Sequence, residues 1–376
     1  MKRRLLVAAL GALAGCAPSE RGASAPDVPR WRLEPIATLG GPADTGWTRL
    51  KDVVADAHGT MYVLDEGAAQ IRVFDSSGAP LRVIGRKGAG PAEFGEAYGM
   101  GIGWLGDTLA VLDPGNGRLA RLTSTGGWVG AWPAKRITGR DVRLRQSGLA
   151  VYAPDWRPAG GKPQSLLVRY TASGAGDTLV MPDRPADQPG AIVCPAAGAI
   201  RFFAIPFAYG ILSVPGPAGE LVTARSDAYR IAVVSPTGDT LRTISRDVAP
   251  LAVSDSEWSA GLAEYREFRE KNPAASCDPA SPARVRLKPV LRNLVFDDAG
   301  ALWVERRADD GDVLDVFDRA GKLIGTLSAP MHDADIPIYV RGDRLYTITV
   351  DEATGAQAVS VYRVVRPSVV PAGSRT

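Results

Sequence analysis

Hydrophobic positions in this chain come in short runs, many of them alternating with polar residues, and turn residues separate the runs at close intervals. That pattern predicts β-strands, because a helix would need apolar positions three and four apart over a longer stretch. The runs also repeat as a unit. In the clearest copy a strand at 59–65 is followed by an alternating strand at 71–78 that ends in Gly78, then by a further strand at 81–85. The same order returns at 109–113, 119–126 and 128–132, and at 149–153, 167–174 and 177–180. It returns again at 220–224, 231–238 and 241–244, and at 301–305, 314–321 and 323–327.

A sixth copy has strands at 345–349 and 359–363 but runs into Arg366 and Pro367 without the turn glycine or an outer strand. Residues 33–40, ahead of the first copy, resemble that missing strand and have no partners of their own. Deficit and surplus together predict an all-β, six-bladed β-propeller whose N-terminal strand closes the last blade, an arrangement that limits exposed strand edges. A β-sandwich or a parallel β-helix would not produce the match. Two stretches interrupt the repeat: 182–209, containing Cys194, and 249–288, containing Cys277. In the second, Ser254 and Glu257 form a capping box, Trp258, Leu262 and Tyr265 share a face, and Asn272-Pro273 ends the run. This predicts one short inserted helix over about 254–272, its apolar stripe packed on the ring.

Composition agrees, since 42 glycines and 29 prolines in 376 residues suit a turn-rich chain. The two histidines, His58 and His332, weaken any mechanism built on a histidine cluster. Lys2, Arg3 and Arg4 precede an apolar run at 5–13 that is too short to span a bilayer, which takes about 20 residues. Residues 1–15 therefore read as a signal peptide. Leu13-Ala14-Gly15-Cys16 resembles a bacterial lipobox, which implies cleavage before Cys16 and acylation of that cysteine. Ala17 and Pro18 follow it with no adjacent Asp, so the resemblance further implies sorting to an outer membrane. Residues 16–30 then form a lipid-anchored linker, 31–366 the propeller and 367–376 a C-terminal tail. The formal charge of +3 leaves with the signal, and no case remains for nucleic-acid binding. In an oxidising compartment the two remaining cysteines predict a Cys194–Cys277 disulfide.

The first unit resembles the NHL-type and TolB-like group of six-bladed β-propellers. The carriers are Asp65, residues 71–74, and the run containing Gly85, Gly88, Gly90, Pro91, Glu93 and Phe94, which is similar to that family's linker between blades. The resemblance spans about 31–366 and implies the fold; such rings host receptors, scaffolds, lyases and lactonases, so it selects no function. Lactonase-like propellers hold a metal in the channel through Glu, Asn and Asp. The corresponding candidates for a calcium ion are Asp65, Asp113 and Glu305, read as equivalent strand ends, and Asn293 on an inner strand. Turn capping is the simpler account of the aspartates, so no metal or other cofactor is expected. Gly101, Gly103 and Gly106 match a dinucleotide fingerprint in spacing, but a strand follows them where a helix is required. Arg341-Gly342-Asp343 falls where other units place a hairpin turn.

These readings converge on an exported, monomeric, lipid-anchored propeller of the cell envelope, touching the membrane only through its lipid. It would bind an envelope protein or a small molecule without catalysis. The alternative is a metal-dependent lactonase-like hydrolase or lyase with its site in the channel. In a propeller the turn between the second and third strands opens on the same face as the connection to the next blade. The long elaborations are all of that kind, which makes this the expected binding face, with Arg86, Lys87, Trp258 and Tyr265 as contacts.

Overall fold

A computed structural model describes residues 28–367 apart from 43–45, 96–97, 136, 138–142, 161, 184–189 and 197–198. The signal peptide, Cys16, most of the 16–30 linker and the tail beyond Pro367 lie outside the described residues. Six four-stranded antiparallel sheets follow one another, with one two-stranded hairpin between the third and fourth. Blade 6 takes three strands from the C-terminal end, Tyr339–Arg341, Arg344–Val350 and Gln357–Val365, and its outer strand from Arg32–Gly40. Leu39 pairs with Val359 in that last ladder, so the expected closure of the ring is present.

Burial explains why the second strand of each blade was so legible. Met61–Asp65 is buried along its whole length, because adjacent blades cover both of its faces, and it reads as a continuous apolar run. The outer strand Pro80–Ile84 is mostly exposed. The core accordingly lies between blades. Tyr62, Leu64, Ile71 and Val73 of blade 1 interlock with Ile102, Trp104, Leu109 and Val111 of blade 2, the Tyr62 and Trp104 rings meeting edge-on at 4.9 Å. The seam between blades 3 and 4 is thinner, built on Ala150, Tyr152, Leu167, Leu179 and Leu221.

The two insertions pack on each other. The hairpin of Ala191–Ala196 and Ala199–Ala204 meets helices α1 (Asp255–Gly261) and α2 (Ala263–Lys271) in a cluster of Ile192, Phe203, Ile205, Leu262 and Tyr265, with Trp258 half-buried at its margin. The capping box at Ser254 and Glu257 is present. The helical run is broken after Gly261, its weakest helix former. The apolar stripe thus faces the hairpin, where a blade surface was expected. Cys194 and Cys277 are joined, as the pairing predicted, and Val193 and Asp278 exchange backbone hydrogen bonds beside them at 2.8 and 2.9 Å.

Candidate functional site

All six inner strands border one cavity of about 450 Å³ on the axis of the ring. They are Leu50–Ala55, Gly101–Leu105, Arg145–Ser147, Ile211–Pro215, Leu291–Phe296 and Tyr339–Arg341. Each is the edge strand of its sheet, so its side chains and unpaired backbone groups form the wall. Blade 2 shows how the edge is satisfied: Asp52 of blade 1 accepts from Ile102 N at 3.1 Å, and Gln146 of blade 3 accepts from Trp104 N at 2.9 Å. Gly101 permits this crowding, since a Cβ there would lie 2.5 Å from the Leu144 nitrogen. Of the glycines that mimic a dinucleotide fingerprint, Gly101 and Gly103 are packing glycines on a strand and Gly106, at a φ of 60°, makes the turn after it.

The ladders align the blades residue by residue. Val54 pairs with Tyr62, Gly103 with Ala110, Arg145 with Tyr152, Val214 with Val222, Val295 with Trp303 and Tyr339 with Tyr346. In the first five blades the next residue out, in the third strand, stands five positions before the turn glycine, at Gly78, Gly126, Gly174, Gly238 and Gly321. One equivalent inner position is therefore Val54, Gly103, Arg145, Val214, Val295 and Tyr339, and only blade 3 places a charge there.

The charges of the wall are perturbed. Burial pushes the Asp52 carboxyl up to about 6, against hydrogen bonds from Ile102 and Val53 and the positive Arg143 and Lys51, which pull it down. Burial and the like charge of Arg143 lower the Arg145 guanidinium to about 10. Arg292 is held by Asp312 and Arg143 donates to the Asp335 carbonyl, whereas Arg145 makes no hydrogen bond or ion pair with any described residue. Ser147 is buried beside the same cavity, and its Oγ has no partner among the described residues.

The four oxygen candidates do not meet. Asp65 is buried and accepts from Thr48 N, Arg49 N and Ala68 N at 3.0, 2.9 and 3.3 Å. Asp113 accepts from Gly95 N at 2.9 Å and from Arg118 Nε at 3.1 Å. Both tie the turn between strands to the preceding interblade connection, which is the capping role. Glu305 is not in their slot: it pairs with Leu314, as Leu64 pairs with Ile71, and Arg306 occupies the position of Asp65. A one-residue offset turns a side chain to the other face of a sheet, and Glu305 bonds His332 instead, at 2.9 Å. Asn293 lines the cavity, its Oδ1 accepting from Leu294 N at 3.0 Å. Among the described residues no three His, Cys, Asp or Glu side chains are placed to hold a metal ion.

The expected surface contacts are also dispersed. Arg86 is exposed and paired with Glu93 at 2.7 Å, and the backbone of Lys87 bridges to Phe94, which is buried beneath Gly85. Trp258 is half-buried, and Tyr265 is buried with its hydroxyl donating to the Ala280 carbonyl at 2.7 Å, so Tyr265 is no surface anchor. The residues that sequence reasoning missed are Asp52, Arg145 and Ser147. A polar pair following an apolar residue, Lys51-Asp52 after Leu50 and Arg292-Asn293 after Leu291, was the available signal for an inner strand.

Residues 49–122, blade 1 and most of blade 2, match the DUF5128 family, described as a 6-bladed beta-propeller. No curated protein matches the chain. Among solved structures it is similar to a DUF4221 family member from Bacteroides vulgatus, at 12% identity over 90% of this chain and 99% of that one, with a TM-score of 0.45. It is also similar to virginiamycin B lyase from Staphylococcus aureus, at 11% identity over 88% of this chain and 99% of that one, with a TM-score of 0.42. The RRP9 WD40 repeats match at 10% identity over 88% and 99%, with a TM-score of 0.46.

Proposed function

We propose that this protein is an exported, lipid-anchored ring of the bacterial cell envelope that binds a small molecule in its central channel and does not transform it. The observation that carries the reading is the cavity itself. At about 450 Å³ it falls in the range of small-ligand sites, roughly 300 to 1,000 Å³, and its wall mixes apolar and charged side chains from all six blades. Small-molecule binding is favoured over protein binding because the expected aromatic anchors on the outer face are buried or half-buried.

Two experiments test this. Wild-type protein and a Leu212→Trp variant, in which the indole fills the channel, are incubated with a small-molecule extract of the envelope and analysed by native mass spectrometry. Compounds retained by the wild type and lost from a variant that melts normally support the channel; equal retention by both refutes it. Separately, Cys16→Ser is expected to release the protein from the membrane fraction and abolish lipid labelling, and unchanged retention would refute the anchor.

A further inference from the structure

Among the described residues, the inner strands carry one charged side chain toward the channel that has no protein partner. At the inner position occupied by Val54, Gly103, Val214, Val295 and Tyr339 in the other blades, blade 3 has Arg145. In blades 1, 4, 5 and 6 that position supplies apolar packing against the next blade. In blade 3 a guanidinium replaces it, at the thinnest seam of the ring.

We propose that Arg145 is the anion receptor of this channel, seating a carboxylate or phosphate group of a small molecule at the inner end of the seam between blades 3 and 4. The proposal rests on the channel-binding reading above and adds the chemistry of the ligand. Arg145 is half-buried, and a guanidinium partly withdrawn from water without a partner is unfavourable; native proteins pair such groups. The other channel arginines follow that rule through Asp312 and the Asp335 carbonyl, while Arg145 has neither a carboxylate nor a carbonyl within hydrogen-bond reach among the described residues. Its planar fork of donors matches the two oxygens of a carboxylate or phosphate. Ser147, two residues along the same strand, lines the same cavity, and its buried hydroxyl has no partner among the described residues. The lowered pKa of Arg145 has burial and the nearby like charge of Arg143 as its causes, and a bound anion would offset both. Space bounded by six inner strands admits a small molecule and excludes a folded partner.

Thermal melting of purified protein tests the assignment, with inorganic phosphate and citrate as probes and sodium chloride matched in ionic strength as the control. Phosphate or citrate is expected to raise the wild-type Tm to a plateau that chloride does not reproduce, because a ligand of the native state stabilises it. Arg145→Met, which keeps the aliphatic stem and removes the charge, is expected to melt higher than wild type in chloride and to show no anion-dependent shift. The proposal is overturned if neither anion shifts the wild type, if the shift survives in Arg145→Met, or if that variant melts lower than wild type in chloride. Retention of an uncharged compound by the wild type and not by Leu212→Trp, together with a negative anion result, would overturn the anion receptor and leave channel binding standing.

Discussion

His332 Nε2 lies 2.9 Å from Glu305 Oε1 in a buried pair, while His332 Nδ1 faces the carbonyl oxygens of Asp333 and Ile336 at 2.8 and 3.0 Å. Carboxylate and carbonyl oxygens only accept, so both ring nitrogens must donate and the site selects the imidazolium. Burial disfavours that charge, but the hydrogen bond and charge of Glu305, with the two carbonyls, raise the pKa above the ordinary 6.5. A raised histidine contributes fully below about pH 6.5 and loses its contribution as pH climbs through the folded-state value. Urea denaturation at pH 6 and pH 8.5 is expected to show the wild type losing stability between them, and His332→Gln losing less by about 1–3 kcal/mol, the scale of a charged hydrogen bond. Equal losses in both proteins would show that His332 does not carry the charge.

Asp52 acts in a lower window. Its carboxyl titrates at about 6 in the fold against 3.8 in the unfolded chain, so the folded state holds the extra proton between those values. Stability falls as pH rises across that interval, by at most about 3 kcal/mol at 1.4 kcal/mol per unit. Asp52→Asn cannot titrate and is expected to lack this step. The difference between wild type and variant, measured at pH 4 and pH 7, isolates it from every other carboxylate; a constant difference would contradict the raised pKa.

Cys194 and Cys277 lie 83 positions apart in sequence with the whole of blade 4 between them, and both sit in the packed insertions. Closing so long a loop restricts the unfolded chain, for about 2–4 kcal/mol. The Cys194→Ala, Cys277→Ala double variant is expected to lose that amount. Hydrogen exchange should rise first in the hairpin and in α1 and α2, which share no cluster with the blade strands, and only later in blades 1 and 2. Thiol labelling of denatured, unreduced protein should find neither cysteine free; two reactive thiols would contradict the bridge.

What was legible in the sequence follows from burial. The turn glycines and the doubly buried second strands write an apolar rhythm that gives the six blades and their closure by residues 33–40. Inner strands write almost nothing: Arg145–Ser147 and Tyr339–Arg341 are three residues long, and their neighbours are loops. Glu305 was aligned with Asp65 because both are acids at a strand end, but the ladder puts Arg306 in that position. Blade 1 joins Asp65 to Arg72 at 3.8 Å and blade 5 joins Arg306 to Asp315 at 2.9 Å, the same diagonal with the charges exchanged. Sequence comparison of acids alone cannot register such a swap. Arg145 likewise has no signal in isolation and stands out only beside the five residues that share its position.

The segment that leads into the closing strand rests Trp31 on Gly325. Before entering blade 6 as its outer strand, the chain lies along blade 5: Trp31 N donates to the Thr326 carbonyl at 2.9 Å and Thr326 N donates to the Pro29 carbonyl at 3.0 Å. The indole then covers Gly325 and meets Trp303 edge-on at 5.9 Å, within a cluster that joins blades 5 and 6. A Cβ on Gly325 would lie 2.3 Å from the ring, too close for any contact, so only glycine lets the indole sit there. Gly325→Ala is expected to cost about 1–3 kcal/mol by overpacking, and Trp31→Ala about 3–5 kcal/mol by leaving a cavity at the junction. In the double variant the clash has nothing to act on, so the two losses should fall short of their sum by nearly the whole Gly325→Ala effect, a coupling that urea denaturation of the four proteins measures. Additive losses would mean that this segment does not rest Trp31 on Gly325.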